Sequence, residues 1–168
     1  MKCLIFSDSH GKLHYMQRAL NMHPDAEVVF FLGDGLSDAD AVRATDTRRM
    51  WIAVSGNCDF YTLFNDRFPE KVDEIPLASR KIVITHGDLY DVKWGEDKLI
   101  YLAKERDADV ILYGHTHRPL SKYLDADEIS REKPLYLFNP GSISSEGRSF
   151  GILTLTDNSV LFSHGSFL

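Results

Sequence analysis

The stretch Cys3-Leu-Ile-Phe-Ser-Asp8-Ser-His10-Gly11 decides the fold, because a short apolar run ends abruptly in a carboxylate and an imidazole. The pattern recurs with Val28-Val-Phe-Phe-Leu32 before Gly33-Asp34-Gly35, Ile52-Ala-Val54 before Ser55-Gly-Asn57-Cys58-Asp59, Ile82-Val-Ile84 before Thr85-His86-Gly-Asp88, and Val110-Ile-Leu-Tyr113 before Gly114-His115-Thr-His117. These runs are rich in β-branched and aromatic residues and do not clearly alternate, which is how strands buried on both faces read. Ligands placed just past their carboxyl ends would converge on one rim of a sheet, where open α/β folds bind their ligands.

Residue type gives this rim its chemistry. Asp8, His10, Asp34, Asn57, His86, His115 and His117 offer hard oxygens and borderline imidazoles, a donor set for transition-metal ions. They are too many for one tetrahedral ion. Shared between two ions, with one carboxylate bridging, they leave positions open for water and substrate. Blander readings exist for each part: a lone His after a strand is usually a hydrogen-bonded surface or core residue, the His115–His117 pair reads equally as a polar turn, and Asn57 suits left-handed backbone in a Gly-Asn turn. Five clusters in series favour ligation. His14, His23 and His164 have no such setting and read as a solvated helix residue, helix-end punctuation before Pro24, and part of a C-terminal strand or tail. Asp38 and Asp40 read as first-turn acids behind a Ser37 cap. Asp88 reads as a turn acid or as a partner that orients a ligand, and Asp59 as a residue that positions Cys58 or a ligand, without a catalytic role of its own.

Taken in order, Asp8-Ser-His10, Gly33-Asp34-Gly35, Gly56-Asn57, His86-Gly87 and Gly114-His115-Thr-His117 resemble the calcineurin-like metallophosphoesterase superfamily, and Asn139-Pro-Gly-Ser142 resembles its small single-domain phosphodiesterase branch. The resemblance implies an α/β fold, a four-layered α/β-β/α sandwich of two mixed sheets flanked by helices. It implies that Asp8, His10 and His117 ligate one divalent ion, Asn57, His86 and His115 a second, and that Asp34 bridges them. The implied cofactors are two divalent metal ions, Mn²⁺ first, with Ni²⁺, Fe²⁺, Zn²⁺ or Co²⁺ as alternatives. The implied reaction is hydrolysis of a small phosphodiester by a metal-bridging hydroxide, with Asp34, Asn57 and Cys58 at the catalytic centre. Many superfamily members carry His where this chain has Cys58, and that His is thought to protonate the leaving group. A thiol is a poor substitute, so the chain is expected to turn over aryl phosphodiesters better than alkyl phosphomonoesters, whose leaving groups need an acid.

The 168 residues fit one metallophosphoesterase domain, 1–168, and 43% hydrophobic with 26% charged residues is an ordinary globular balance. A net charge of −6 argues against long nucleic acid as a partner. No apolar stretch approaches the ~20 residues that span a bilayer, and the two cysteines make no disulfide framework and fit a reducing cytoplasm. A homodimer is implied by the resemblance alone. Strands are expected near 2–7, 27–32, 50–55, 80–85, 109–113, 120–124, 135–138, 150–155 and 159–163, with a hairpin at Thr156-Asp-Asn-Ser159, and helices near 12–22, 37–46 and 96–106. The run Phe60-Tyr-Thr-Leu-Phe64 reads as core packing, an apolar wall for an aryl leaving group, or a subunit contact. The main rival to an enzyme is a noncatalytic scaffold, since the fold resembles the small retromer subunit. A phosphomonoesterase or a nuclease for short oligonucleotides is the rival within enzymology.

Overall fold

Alternation inside the apolar runs sorts their side chains into layers. A computed structural model describes residues 1–145 and 147–167. Its elements run β1 (Lys2–Phe6), α1 (Leu13–Met22), β2 (Val28–Phe31), α2 (Leu36–Thr45), β3 (Met50–Ala53), β4 (Val72–Leu77) and β5 (Arg80–Thr85). A 3-10 turn (Asp88–Tyr90), α3 (Asp97–Arg106), β6 (Val110–Leu112), β7 (Pro119–Leu124), β8 (Leu135–Pro140), β9 (Ser149–Leu155) and β10 (Val160–Ser166) follow. The strands form two mixed five-stranded sheets, ordered β10-β9-β1-β2-β3 and β4-β5-β6-β8-β7.

Leu4 and Phe6 of β1 and Val29 and Phe31 of β2 face α1 and α2, meeting Met16, Ala19, Leu36, Ala39 and Val42. Their alternate neighbours Cys3, Ile5, Val28 and Phe30 face inward and meet Ile82, Ile84, Val110, Leu112 and Phe138 of the second sheet. Val83, Ile111 and Leu137 then turn outward onto Leu99, Leu102 and Ala103 of α3. Helices, sheet, sheet and helix are thus four layers, each strand contributing to two of them, as its period of two requires.

β1, β2 and β3 run parallel, as do β5, β6 and β8. Their carboxyl ends therefore lie on two sheet rims, and the expectation of a single rim is corrected: the clusters after β1, β2 and β3 sit on one sheet, those after β5 and β6 on the other. β3 is also not buried on both faces. It closes the edge of its sheet, with Met50 60% exposed. β4 went unread because Asp73, Glu74 and Pro76 break the apolar pattern, but such residues suit the edge position it occupies. The Thr156–Ser159 hairpin forms as read, closed by hydrogen bonds between these two residues in both directions.

The inter-sheet layer holds the two rims together. Leu112→Ala, at a fully buried position between the sheets, is expected to lower the unfolding free energy by ~2–5 kcal/mol, whereas Leu161→Ala, 60% exposed on β10, should stay within ~0.5 kcal/mol. Urea denaturation of both variants measures the contrast.

Candidate metal centre

Past the ends of β1, β2 and β6 the backbone reverses its hand. Asp8 (φ 57°), His10 (41°), Asp34 (59°), His115 (66°) and His117 (59°) all lie in the left-handed region. Few L-residues enter that region, although Asp, Asn and His do so more readily than most. A cluster of such residues is a recognised mark of functional sites. The reversals stop the strands and leave short polar side chains at the rims.

Two groups result. Asp8, His10 and His117 bring one donor atom each to within 4.8 Å of one another, as do Asp34, His86 and His115. His117 Nε2 lies 3.1 Å from Asp8 Oδ1 and 3.5 Å from His10 Nε2. His86 Nε2 lies 3.3 Å from Asp34 Oδ2 and 3.1 Å from His115 Nδ1. His10, Asp34 and the Cys58 sulfur also fall within 4.8 Å, linking the groups. Asn57 follows Gly56, whose missing side chain leaves room for the Asp34 carboxylate, since a Cβ there would collide with it.

The hydrogen bonding suits cations in these gaps. His86 Nδ1–H donates to the Leu32 carbonyl at 2.7 Å, which leaves the Nε2 lone pair aimed at Asp34 and His115. Among the described residues, Asn57 Oδ1 is buried without a hydrogen-bond partner, and so is Asp8 Oδ1, which has His117 Nε2 3.1 Å away but no hydrogen-bond geometry to it. Nitrogen and oxygen donors spaced ~3.0–3.4 Å match neighbouring corners of a coordination shell with bonds of ~2.1 Å. The residues present fit divalent metal ions.

Electrostatics agree. Burial raises the Asp34 carboxyl, but His86 and the Cys58 N–H outweigh it and hold that group well below the usual carboxylate range. Burial also opposes protonation of His86, yet Asp34 and Asp8 pull its pKa upward. His115 is held down, first by burial, then by the charges of His86 and Lys93. The Cys58 thiol, at the surface but partly stripped of hydration and facing Asp34, Asp59 and Asp8, is pushed up to about 11. In the metal-free protein it is a protonated thiol, which contrasts with the thiolate that cations would favour.

Asp59, given no catalytic role from sequence, proves to be the brace of the site. Its Oδ2 accepts the N–H groups of Asp34 (2.7 Å) and Gly56 (2.8 Å), and its Oδ1 those of Gly35 (2.8 Å) and Leu36 (2.9 Å). It thereby joins the second and third loops and satisfies the start of α2. Ser37 does not cap that helix, contrary to expectation: the N-cap is Gly35. Asp38 instead accepts from Ser9 Oγ and Gly11 N–H, both at 2.7 Å, fixing the first loop. Asp88 pairs with Lys71 at 3.6 Å, and Lys71 donates to the Gly56 carbonyl at 2.7 Å, so this acid steadies the Asn57 loop.

Buried Asn139 spans the fifth loop, donating to the Gly114 carbonyl (2.8 Å) and to Thr116 Oγ1 (3.1 Å). Ser142 and Ser144 donate to the Asp8 carbonyl at 2.9 and 2.8 Å, and Ser145 Oγ lies 3.1 Å from His117 Nδ1. The Asn139-Pro-Gly-Ser142 segment therefore supports ligands. The core reading of the aromatic run fails for Phe60 and Tyr61, which are 78% and 93% exposed, although Phe64 is buried. His14 is exposed against Tyr15, and His164 lies in β10 and donates to the Asn139 carbonyl, both away from the donor groups.

Asp59→Asn keeps the shape but replaces one acceptor oxygen by a donor that faces N–H groups. Hydrogen bonds to charged acceptors contribute ~1.5–3 kcal/mol each, so a loss of ~2–4 kcal/mol in unfolding free energy is expected by urea denaturation of the metal-free protein.

With this geometry, the relatives of the chain become informative. Residues 1–158 match the family model of the calcineurin-like phosphoesterase superfamily domain. YsnB of Bacillus subtilis, described as a probable metallophosphoesterase, is 34% identical over 162 residues, covering 94% of this chain and 86% of its own. Phosphodiesterase YfcE of Escherichia coli (strain K12) is 29% identical over 183 residues, covering 96% and 90%. The solved structure of Vacuolar Protein Sorting 29 from Cryptosporidium parvum superimposes with a TM-score of 0.73 over 99% of this chain and 97% of that one, and at 18% identity it shows a shared fold. A family match over nearly the full length, carried by a chain whose strand-end carboxylates and imidazoles meet at two sheet rims, makes this protein a member of the calcineurin-like phosphoesterase superfamily.

Proposed function

We propose that the chain is a dinuclear metal-dependent phosphodiesterase. The observation that carries this reading is the pair of buried, unpartnered oxygens on Asp8 and Asn57, set among four converging histidines around Asp34. Asp8, His10 and His117 would hold one divalent ion, Asn57, His86 and His115 the other, and Asp34 would contact both. Three oxygen and four imidazole donors suit borderline first-row ions, and Mn²⁺ is the ion proposed. Bound there, the ions would supply an activated water near neutral pH and positive charge for the phosphoryl oxygens.

The chain's own residues make that chemistry positional. Leu32 fixes the His86 tautomer, Asp59 fixes the peptide that carries Asp34, and Ser145 steadies His117. Cys58 presents its sulfur toward His10 and Asp34, where an acid for the leaving group would stand. Beside two bound cations its thiol would be drawn toward the thiolate, which has no proton to give, so it would not match an imidazolium as a general acid at pH 7. Esters with stable leaving anions are therefore the favoured substrates, and the name of the relative YfcE supports the diester assignment. The exposed Phe60 and Tyr61 offer an apolar wall beside the site for an aryl group. The two free cysteines support a reducing compartment, the cytoplasm, and among the described residues no helix is long and apolar enough to cross a membrane.

Metal-stripped protein given Mn²⁺ should hydrolyse bis-p-nitrophenyl phosphate faster than p-nitrophenyl phosphate, and Asp34→Asn should lose more than the ~10–100-fold typical of residues outside the ligand set. Faster monoester turnover would overturn the diester assignment, and failure to bind metal would favour a scaffold. Cys58→His should raise turnover of a simple alkyl phosphate ester by ~10²-fold or more, the lower bound for restoring acid assistance. Steady-state kinetics on alkyl and aryl esters checks it.

A further inference from the structure

A cavity of about 580 Å³ opens beside the fifth loop, lined by Val92, Lys93, Tyr113, Thr116, Arg118 and Leu120. Thr116 stands between His115 and His117 in the chain, so one wall of the cavity is formed by the loop that carries two of the candidate ligands. Its size falls within the range of small-molecule sites. In a chain of net charge −6, the neighbouring cations are paired: Lys71 with Asp88, Lys98 with Asp91 and Lys122 with Glu96. Lys93 and Arg118 have no side-chain hydrogen bond or ion pair among the described residues, and of Arg118 only the backbone bonds, to Thr116. Glu96 is the carboxylate in the lining, and it is engaged 3.5 Å from Lys122. Apolar walls from Val92, Pro119 and Leu120 lower the local dielectric and extend the reach of the two free charges.

We infer that this cavity is a specificity site for a second anionic group, carried on the alcohol that the phosphodiester retains or releases. The inference rests on the phosphodiesterase reading and narrows it: the preferred substrate is a diester with a further carboxylate or phosphate, bound by Lys93 and Arg118 while its scissile phosphate lies at the metal centre. Thr116 Oγ1 already bonds Asn139, so the two cations are the recognition elements.

Two diesters with the same leaving group test this, bis-p-nitrophenyl phosphate and 4-carboxyphenyl 4-nitrophenyl phosphate, assayed with the Mn²⁺-loaded protein. The readout is the ratio of kcat/KM for the carboxylated over the uncharged ester, in which intrinsic reactivity cancels between variants. Lys93→Ala/Arg118→Ala should lower the ratio about fivefold, as expected for two lost exposed ion pairs, mainly through KM. Lys93→Glu should lower it further, Arg118→Lys should retain most of it, and added salt should shrink the wild-type preference. An unchanged ratio in the double variant overturns the anion site and leaves the phosphodiesterase reading standing. No turnover of either ester by the wild type overturns both.

Discussion

Four peptide N–H groups converge on the Asp59 carboxylate, and the candidate site depends on that convergence. The second and third loops leave different strands of one sheet, and each carries donors that no strand partner can satisfy. One buried-side anion takes N–H groups from both loops and from the first turn of α2, so their spacing is set by a single side chain. With the loops locked, Asp34 presents one oxygen to the Cys58 N–H and the other toward His86. The acidity of Asp34 and the tautomer of His86 are downstream of this clasp.

The second sheet meets the first through an apolar interior and through a polar seam at its end. Ile82, Ile84 and Leu112 bring β5 and β6 against β1 and β2, and this packing sets the distance between the two rims. At the seam His86 Nδ1 crosses to the Leu32 carbonyl, His115 N–H crosses to Asp8, and Ser142 and Ser144 cross to the Asp8 carbonyl. Each bond joins a loop of one sheet to a loop or strand end of the other. The donor groups are therefore products of sheet packing, and a change in the inter-sheet layer reaches them through rigid, hydrogen-bonded turns.

Much of this was legible in the sequence. Five apolar runs each ending in a ligand-type residue pointed to strands and to six residues that the structure brings into two groups, because strand burial and donor chemistry are both local properties. The edge strand β4 was hidden by its charged residues and Pro76, and the two-rim arrangement was hidden because sheet membership is decided by pairing between distant segments. A positioning role for Asp59 is legible from its place beside Cys58, but the partners through which it acts are hidden for a similar reason. Its partners at Asp34, Gly35 and Leu36 lie over twenty positions away, and a carboxylate that binds backbone leaves no motif. The Ser37 cap failed because that distant carboxylate already occupied the helix start. One signal was available: Gly33, Gly35 and Gly56 stand where the chain packs too closely for a side chain, Gly33 against the Gly56 backbone, Gly35 against Ser9 and Gly56 against Asp34.

The left-handed backbone at Asp8, His10, Asp34, His115 and His117 restricts how such a centre can change over evolutionary time. At these five positions the candidate donor atom and the turn are supplied by the same residue. A replacement must keep a donor atom at the same reach and also tolerate a positive φ, which leaves out Glu and Gln for length and β-branched residues for backbone strain. Glycine preserves the turn and removes the donor. Few single replacements at these positions therefore keep both the turn and a donor atom, whereas the apolar scaffold beneath the two rims carries no such double requirement.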